Sequence, residues 1–256
     1  MGNPFRWPDG RSCAVSLTYD DALPVHYEYA APALEARGLL GTFYLLISGD
    51  PMKNFDRWKT LAARGHELGN HSLFHPCRRE PPENYPWLDE GFDLRDYTPY
   101  RFTLELRVAN FFLHLLDGRH ARTYGNTCCD TYIGQGDTKR AMDDLLAEDF
   151  IAARGAHTNK MVLVSESLNL LNVGHCIADF RHFEELRDEV RAVRKAGAWI
   201  VYLVHGVGAE SKEIYIERDV HERLLDFLVG EQDVWTRPFI EVASWIRRWR
   251  EGQPAT

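Results

Sequence analysis

Three places in the sequence hold side chains whose types and spacing suit proton transfer and metal ligation. The first is Asp20-Asp21, which follows the apolar run 13–19 (CAVSLTY). Two adjacent carboxylates repel each other, so the pair is either a solvated strand exit or a site that uses both charges. The second is the stretch 65–76 (GHELGNHSLFHP), where His71 and His75 stand four residues apart, close enough on one turn to hold one ion. Neutral imidazoles and a carboxylate are the usual ligands of a catalytic zinc that keeps a position open for water. An HxxxH pair alone is weak evidence, because such pairs also arise on solvated helices. The third is His205, which ends the run 199–205 (WIVYLVH) and precedes Gly206. A histidine at a strand end is more often a core or rim residue than a catalyst, but this one is the third polar signal in such a position.

The elements that must position these side chains alternate. Strand-like runs at 13–19, 42–47, 67–72, 151–154, 170–177, 199–205 and 234–239 are interleaved with helical periodicity at 25–36, 55–63, 102–116, 139–147, 183–195, 220–228 and 240–250. This βα alternation predicts a parallel sheet with helices outside it. Seven or eight such units close into a (β/α) barrel, and 256 residues suit one barrel domain over 1–256. In such a barrel the C-terminal strand ends gather on one face, which would bring the three signals together. The segment 76–100 breaks the rhythm with five prolines and the aromatics Tyr85, Trp87, Phe92, Tyr97 and Tyr100. A connection of this length is expected to be either a lid over a site or a tolerated surface insertion.

Composition removes several classes of function. Lys plus Arg number 30 against 38 Asp plus Glu, a net charge of -8, so no basic nucleic-acid footprint is present. No apolar run is long enough to predict a membrane span. The first ten residues, MGNPFRWPDG, have no apolar h-region, and a cytoplasmic location is expected. Five cysteines, Cys13, Cys77, Cys128, Cys129 and Cys176, form no CxxC pair; their odd number and scatter predict reduced thiols rather than disulfides.

TYDDA at 18–22, GHELGNHSLFH at 65–75 and LVHG at 203–206 together resemble the motifs of the polysaccharide deacetylase family (the NodB-homology, carbohydrate esterase 4 group). The similarity runs from about Pro8 to the C-terminal helix. It implies a distorted (β/α) barrel, with Asp21, His71 and His75 as ligands of a metal, usually zinc, Asp20 as catalytic base and His205 as catalytic acid. The family's third motif is commonly R-x-P-Y-G. Here 121–126 reads ARTYGN, which implies the Tyr124 N–H as oxyanion donor but puts Ala121 at the arginine position, with Arg122 one residue out of register. The fourth motif, Asp-x-x-Asp-Trp, is not recognisable. Asp179 is a stand-in on position alone, and a helix N-cap is its favoured reading.

The implied chemistry is coherent. A divalent ion lowers the pKa of a bound water from roughly 15.7 to about 7 and polarises an acyl oxygen. Asp20 then takes the water's proton and His205 protonates an amine leaving group. Ligation of Asp21 removes the repulsion that would raise the pKa of Asp20. Tyr19, Phe74 and Trp87 are candidate walls for a sugar ring, or they pack the barrel rim. His66 is expected to be structural, and Cys128-Cys129 to be core or loop residues. The leading expectation is removal of acetyl groups from an N- or O-acetylated carbohydrate, with a small-molecule or oligosaccharide substrate. Hydrolysis of a small non-sugar amide or ureide by the same residues, and a catalytically silent carbohydrate-binding relative, stay open.

Overall fold

A computed structural model of the protein describes residues 4–252, so the chain ends included in the single-domain expectation lie outside it. Strand β1 (Cys13–Asp20) is buried along its whole length, as a strand must be when one face lines a barrel and the other meets helices. It is followed by β2 (Thr42–Leu45), β3 (Glu67–Asn70), β4 (Thr123–Gly125), β5 (Ala152–His157), β6 (Val173–Ile177) and β7 (Trp199–Val204), each parallel to the next. β7 returns to β1, from Ala14 opposite Trp199 to Tyr19 opposite Val204, and closes a seven-stranded barrel. β8 (Val234–Thr236) joins no wall of its own. It pairs with Cys13 to Val15, below the point where β2 meets Thr18 to Asp20. One edge of β1 thus serves two neighbours in turn, and that is the distortion.

The helices α1 (Ala31–Glu35), α2 (Phe55–Ala63), α3 (Pro99–Asp117), α4 (Met142–Leu146), α5 (Phe183–Ala196), α6 (Arg218–Gly230) and α7 (Phe239–Arg250) lie where periodicity predicts helix. Two details differ. The 25–36 helix begins as a π-helical turn at His26–Ala30. The 139–147 helix is shorter, because Arg140–Ala141 pairs with Tyr132–Ile133 in an antiparallel ribbon. In the C-terminal helix Ile246 is buried, and Trp245 and Trp249 pack on a cluster with Trp7, Trp199 and Phe239. Among the described residues no helix is long and apolar enough to cross a membrane.

Glu67 explains the glutamate of the GHELGNH stretch. It is buried and accepts hydrogen bonds from Thr42 Oγ1 at 2.7 Å, from Thr123 Oγ1, and from the Ile240 N–H at 2.9 Å. One side chain therefore ties β2, β4 and the start of α7 to β3, and buried carboxylates persist when so satisfied. His66 is structural as expected, accepting from the Gly41 N–H at 3.0 Å.

The 76–100 segment is not patternless. It makes three short 3-10 turns, at Pro82–Asn84, Glu90–Phe92 and Leu94–Asp96, before Thr98 caps α3. A disulfide joins Cys77 to Cys128 across 51 residues, which corrects the expectation of reduced thiols for these two. Cys13, Cys129 and Cys176 are free. The pairing is invisible to spacing because it is made by the barrel, whose β3 and β4 exits lie side by side.

Candidate metal and catalytic site

The exits of β1 and β3 build the centre. Immediately after Asp20 the backbone of Asp21 and Ala22 turns through left-handed conformations, with φ of 77° and 54°. After β3, the Asn70 side chain accepts the Ser72 N–H at 2.7 Å and the Ser72 hydroxyl accepts the His75 N–H at 2.8 Å. Ser72 and His75 also have positive φ, 67° and 56°. Non-glycine residues held this way cost on the order of 1–3 kcal/mol each and persist where the surroundings over-determine them. These two turns, rather than helical spacing, bring the imidazoles together: Nε2 of His71 and of His75 lie 3.4 and 3.3 Å from the same Asp21 oxygen, Oδ1.

That oxygen is buried and has no hydrogen-bond partner. The donor atoms of Asp21, His71 and His75 all lie within 4.8 Å of one another. His71 Nδ1 donates to the Gly125 carbonyl at 2.7 Å, which leaves Nε2 with its lone pair toward Asp21. Two imidazole nitrogens and a carboxylate oxygen converging on an orphaned point fit a zinc-like divalent ion. Burial pushes the Asp21 carboxyl up, but the two imidazoles in their protonated form outweigh it and hold the group well below the usual range. Its other oxygen, Oδ2, contacts Lys212 Nζ. A second donor cluster, His75, Cys77 and Cys128, has both sulfurs spent in the disulfide.

Asp20 has a different partner. Arg154, from the middle of β5, grips it with both guanidinium nitrogens, Nη1 to Oδ1 at 2.9 Å and Nη2 to Oδ2. Arg154 is fully buried, donates to Thr18 Oγ1 at 2.8 Å and lies 4.8 Å over the Tyr44 ring. Burial pushes the Asp20 carboxyl up, the guanidinium overcomes it, and the group settles at about 2. Arg122 has no such role: it pairs with Asp117 at 2.6 Å before β4 begins. Sequence reasoning missed Arg154. The signal was an arginine inside an apolar strand run, since a cation enclosed in a barrel requires a carboxylate facing it.

His205 is held by Asp179, which accepts from Nδ1 at 2.6 Å and from the His205 N–H at 3.0 Å. Helix α5 starts only at Phe183, with His182 as its cap, so the N-cap reading of Asp179 is corrected. Burial disfavours charge on His205, but the hydrogen bond and charge of Asp179, with help from Asp20 and Asp21, raise its pKa above the ordinary value.

The remaining candidates divide. Tyr19 is no substrate wall: strand alternation turns it to the helix layer, where it stacks on Phe43 and shares a 2.8 Å hydrogen bond with His221 Nε2. The Tyr124 side chain is buried against Phe102 and Phe150, while its backbone lies between Asn70 and Ala153 in the sheet. Phe74, 39% exposed, stacks on Phe92, and Trp87, 59% exposed, lies with its ring 5.8 Å from that of His75.

Residues 8–124 match the polysaccharide deacetylase family. A gellan lyase from Bacillus sp. is 27% identical over 166 residues, which is 65% of this chain but 6% of that protein's length. Among solved structures, a proposed polysaccharide deacetylase from Mycobacterium smegmatis superimposes with a TM-score of 0.64 at 16% identity, over 99% of this chain and 96% of its own. A family 4 acetyl xylan esterase from Clostridium thermocellum, solved with a cobalt ion, gives 0.55 at 14% identity, over 94% and 93% of the two chains. The barrel is theirs.

Proposed function

We propose, from the membership of residues 8–124 in the polysaccharide deacetylase family and from the geometry of the barrel mouth, that this protein is a metal-dependent hydrolase removing acetyl groups from an N- or O-acetylated carbohydrate. The observation that carries the reading is the division of the two aspartates. Asp21 presents an unpartnered oxygen to two imidazoles, whereas Asp20 is gripped by Arg154, with its Oδ2 3.8 Å from His71 Nε2.

A divalent ion held by Asp21, His71 and His75 would polarise the acyl oxygen and acidify water. Asp20, kept ionised by Arg154, takes the proton of the attacking water. Arg154 also fixes the direction in which Asp20 can receive it. The Tyr124 N–H, next to the Gly125 carbonyl that orients His71, is assigned to the developing oxyanion. His205, whose pKa the hydrogen bond and charge of Asp179 raise, donates to the leaving amine or alcohol. Trp87 and Phe74 offer exposed aromatic faces beside His75, where a sugar ring would stack. A silent binding relative would have no use for the partnered base and acid, and here both have their partners. The Cys77–Cys128 disulfide favours an oxidising compartment over the cytoplasmic location expected from sequence.

The test is acetate release by zinc-loaded protein across acetylated sugars, oligosaccharides and simple acetyl esters, with Asp20→Asn as control. Release is expected to fall by about 10²–10⁴ in the variant while zinc stoichiometry stays at one. Silence of the wild-type protein on every substrate, with zinc bound, would refute deacetylation.

A further inference from the structure

We infer that Lys212 is a positioning residue for the metal-binding carboxylate, holding Oδ2 of Asp21 so that only Oδ1 is free to ligate, at a cost in metal affinity. This rests on the metal site proposed above. The two Asp21 oxygens have separate surroundings: Oδ1 faces His71 and His75 with no hydrogen bond, and Oδ2 meets the Lys212 ammonium. A carboxylate with one oxygen already claimed offers a single donor atom, which leaves more of the ion's coordination sphere for water and for the acyl oxygen.

The lysine's placement is built rather than incidental. Its loop leaves β7 directly after His205 and is closed by a parallel pairing of Gly206–Val207 with Tyr215–Ile216. The Gly206 N–H donates to the Ile214 carbonyl at 3.0 Å, and the Ser211 hydroxyl donates to the Gly208 carbonyl at 2.6 Å. Glu210, two residues before Lys212, is paired with Arg218. Lys212 is consequently directed at Asp21 from the same loop that carries the His205 proton donor.

Charge sets the sign of the effect. An ammonium is a compact point charge, and one touching a ligand carboxylate repels a dication bound on the carboxylate's far oxygen. It also draws electron density from that ligand, so the ion keeps more of its own charge for the acyl oxygen. A purely structural lysine would behave otherwise, since its loss would loosen the site and weaken metal binding.

The experiment compares wild-type protein with Lys212→Met and Lys212→Arg. Zinc affinity is measured on metal-free protein by competition with a chromophoric chelator, the cobalt-loaded visible spectrum is recorded, and kcat and KM are determined on an acetylated substrate. Lys212→Met should bind zinc about 10-fold more tightly or better and shift the cobalt spectrum. Its kcat should fall about 10-fold with KM nearly constant, and Lys212→Arg should restore all three. Zinc affinity unchanged or weakened in Lys212→Met would overturn the inference while leaving the metal site intact. Failure of the wild-type protein to bind zinc or cobalt would instead overturn the metal site, and this inference with it.

Discussion

Arg154 and Asp179 have the same task at the residue scale: each biases a neighbour toward its charged form and holds it in one direction. Asp20 and Arg154 are both enclosed, and removing one partner of a buried pair costs about 3–5 kcal/mol because the other charge is stranded. Arg154→Met is therefore expected to lower unfolding free energy by about that amount in urea titration. It should also raise the Asp20 pKa, because burial alone pushes the carboxyl up. The acid limb of the pH–rate profile should move to higher pH, since Asp20, as the proposed base, must be ionised to act. Asp179→Asn is the mirror experiment. Its carboxylate raises the His205 pKa, so its removal lowers it, and an acid catalyst is lost above its pKa. The falling limb of kcat/KM against pH should shift to lower pH.

At the scale of elements, the site is made by the turns that leave the strands rather than by the strands themselves. The 76–100 segment is fastened at its start, where Cys77 bonds Cys128, the Cys77 carbonyl accepts the Leu94 N–H at 2.9 Å, and the Arg78 N–H donates to Asp130 at 2.7 Å. Cys77 stands two residues beyond His75, so the disulfide also tethers a candidate ligand. Cys128→Ser should lower stability by about 2–4 kcal/mol, as expected when a cross-link no longer restricts the unfolded chain. The readouts are Tm and zinc affinity, and both should drop. The prolines and aromatics of 76–100 marked the segment as unusual. They could not show that it is folded into turns and bolted to the β4 exit, because those contacts join positions some fifty residues apart.

The whole molecule carries a pH dependence of its own. His26 and His221 are fully enclosed in the layer between barrel and helices, and burial pushes each down from 6.5 to about 4; His175 is pushed down further, to about 2. Between pH 6.5 and 4 the unfolded chain takes up protons that the folded protein refuses, so stability falls as pH falls through that window, by about 1.4 kcal/mol per unit per histidine. His66, also pushed down by burial, adds to this trend, while His205, whose pKa is raised, and Asp130, pushed up by burial to about 6, oppose it. Asp20, depressed to about 2, supplies stability that is lost only as pH drops below the ordinary aspartate range, outside the histidine window. Thermal unfolding of metal-free protein should show Tm falling steadily from pH 7 to pH 5. A flat profile would mean that these histidines are not enclosed as described.

The sequence by itself determined the alternation of strand and helix, and with it the parallel barrel. Hydrophobic period is a local property, and each βα unit carries its own signal. It also placed Asp20, Asp21, His71, His75 and His205 at or just beyond the C-terminal ends of expected strands, and such ends share one face of a barrel. Tertiary structure alone decided the partners. Arg154 reaches Asp20 across 134 positions, and Lys212 reaches Asp21 across 191. β4 is three residues long, too short for a periodicity, and exists because β3 and β5 flank it. Tyr19 differs from Asp20 by one position on the same strand, yet alternation sends one to the helix layer and the other into the barrel. Which face is which depends on how the sheet closes, and closure is a property of all seven strands at once.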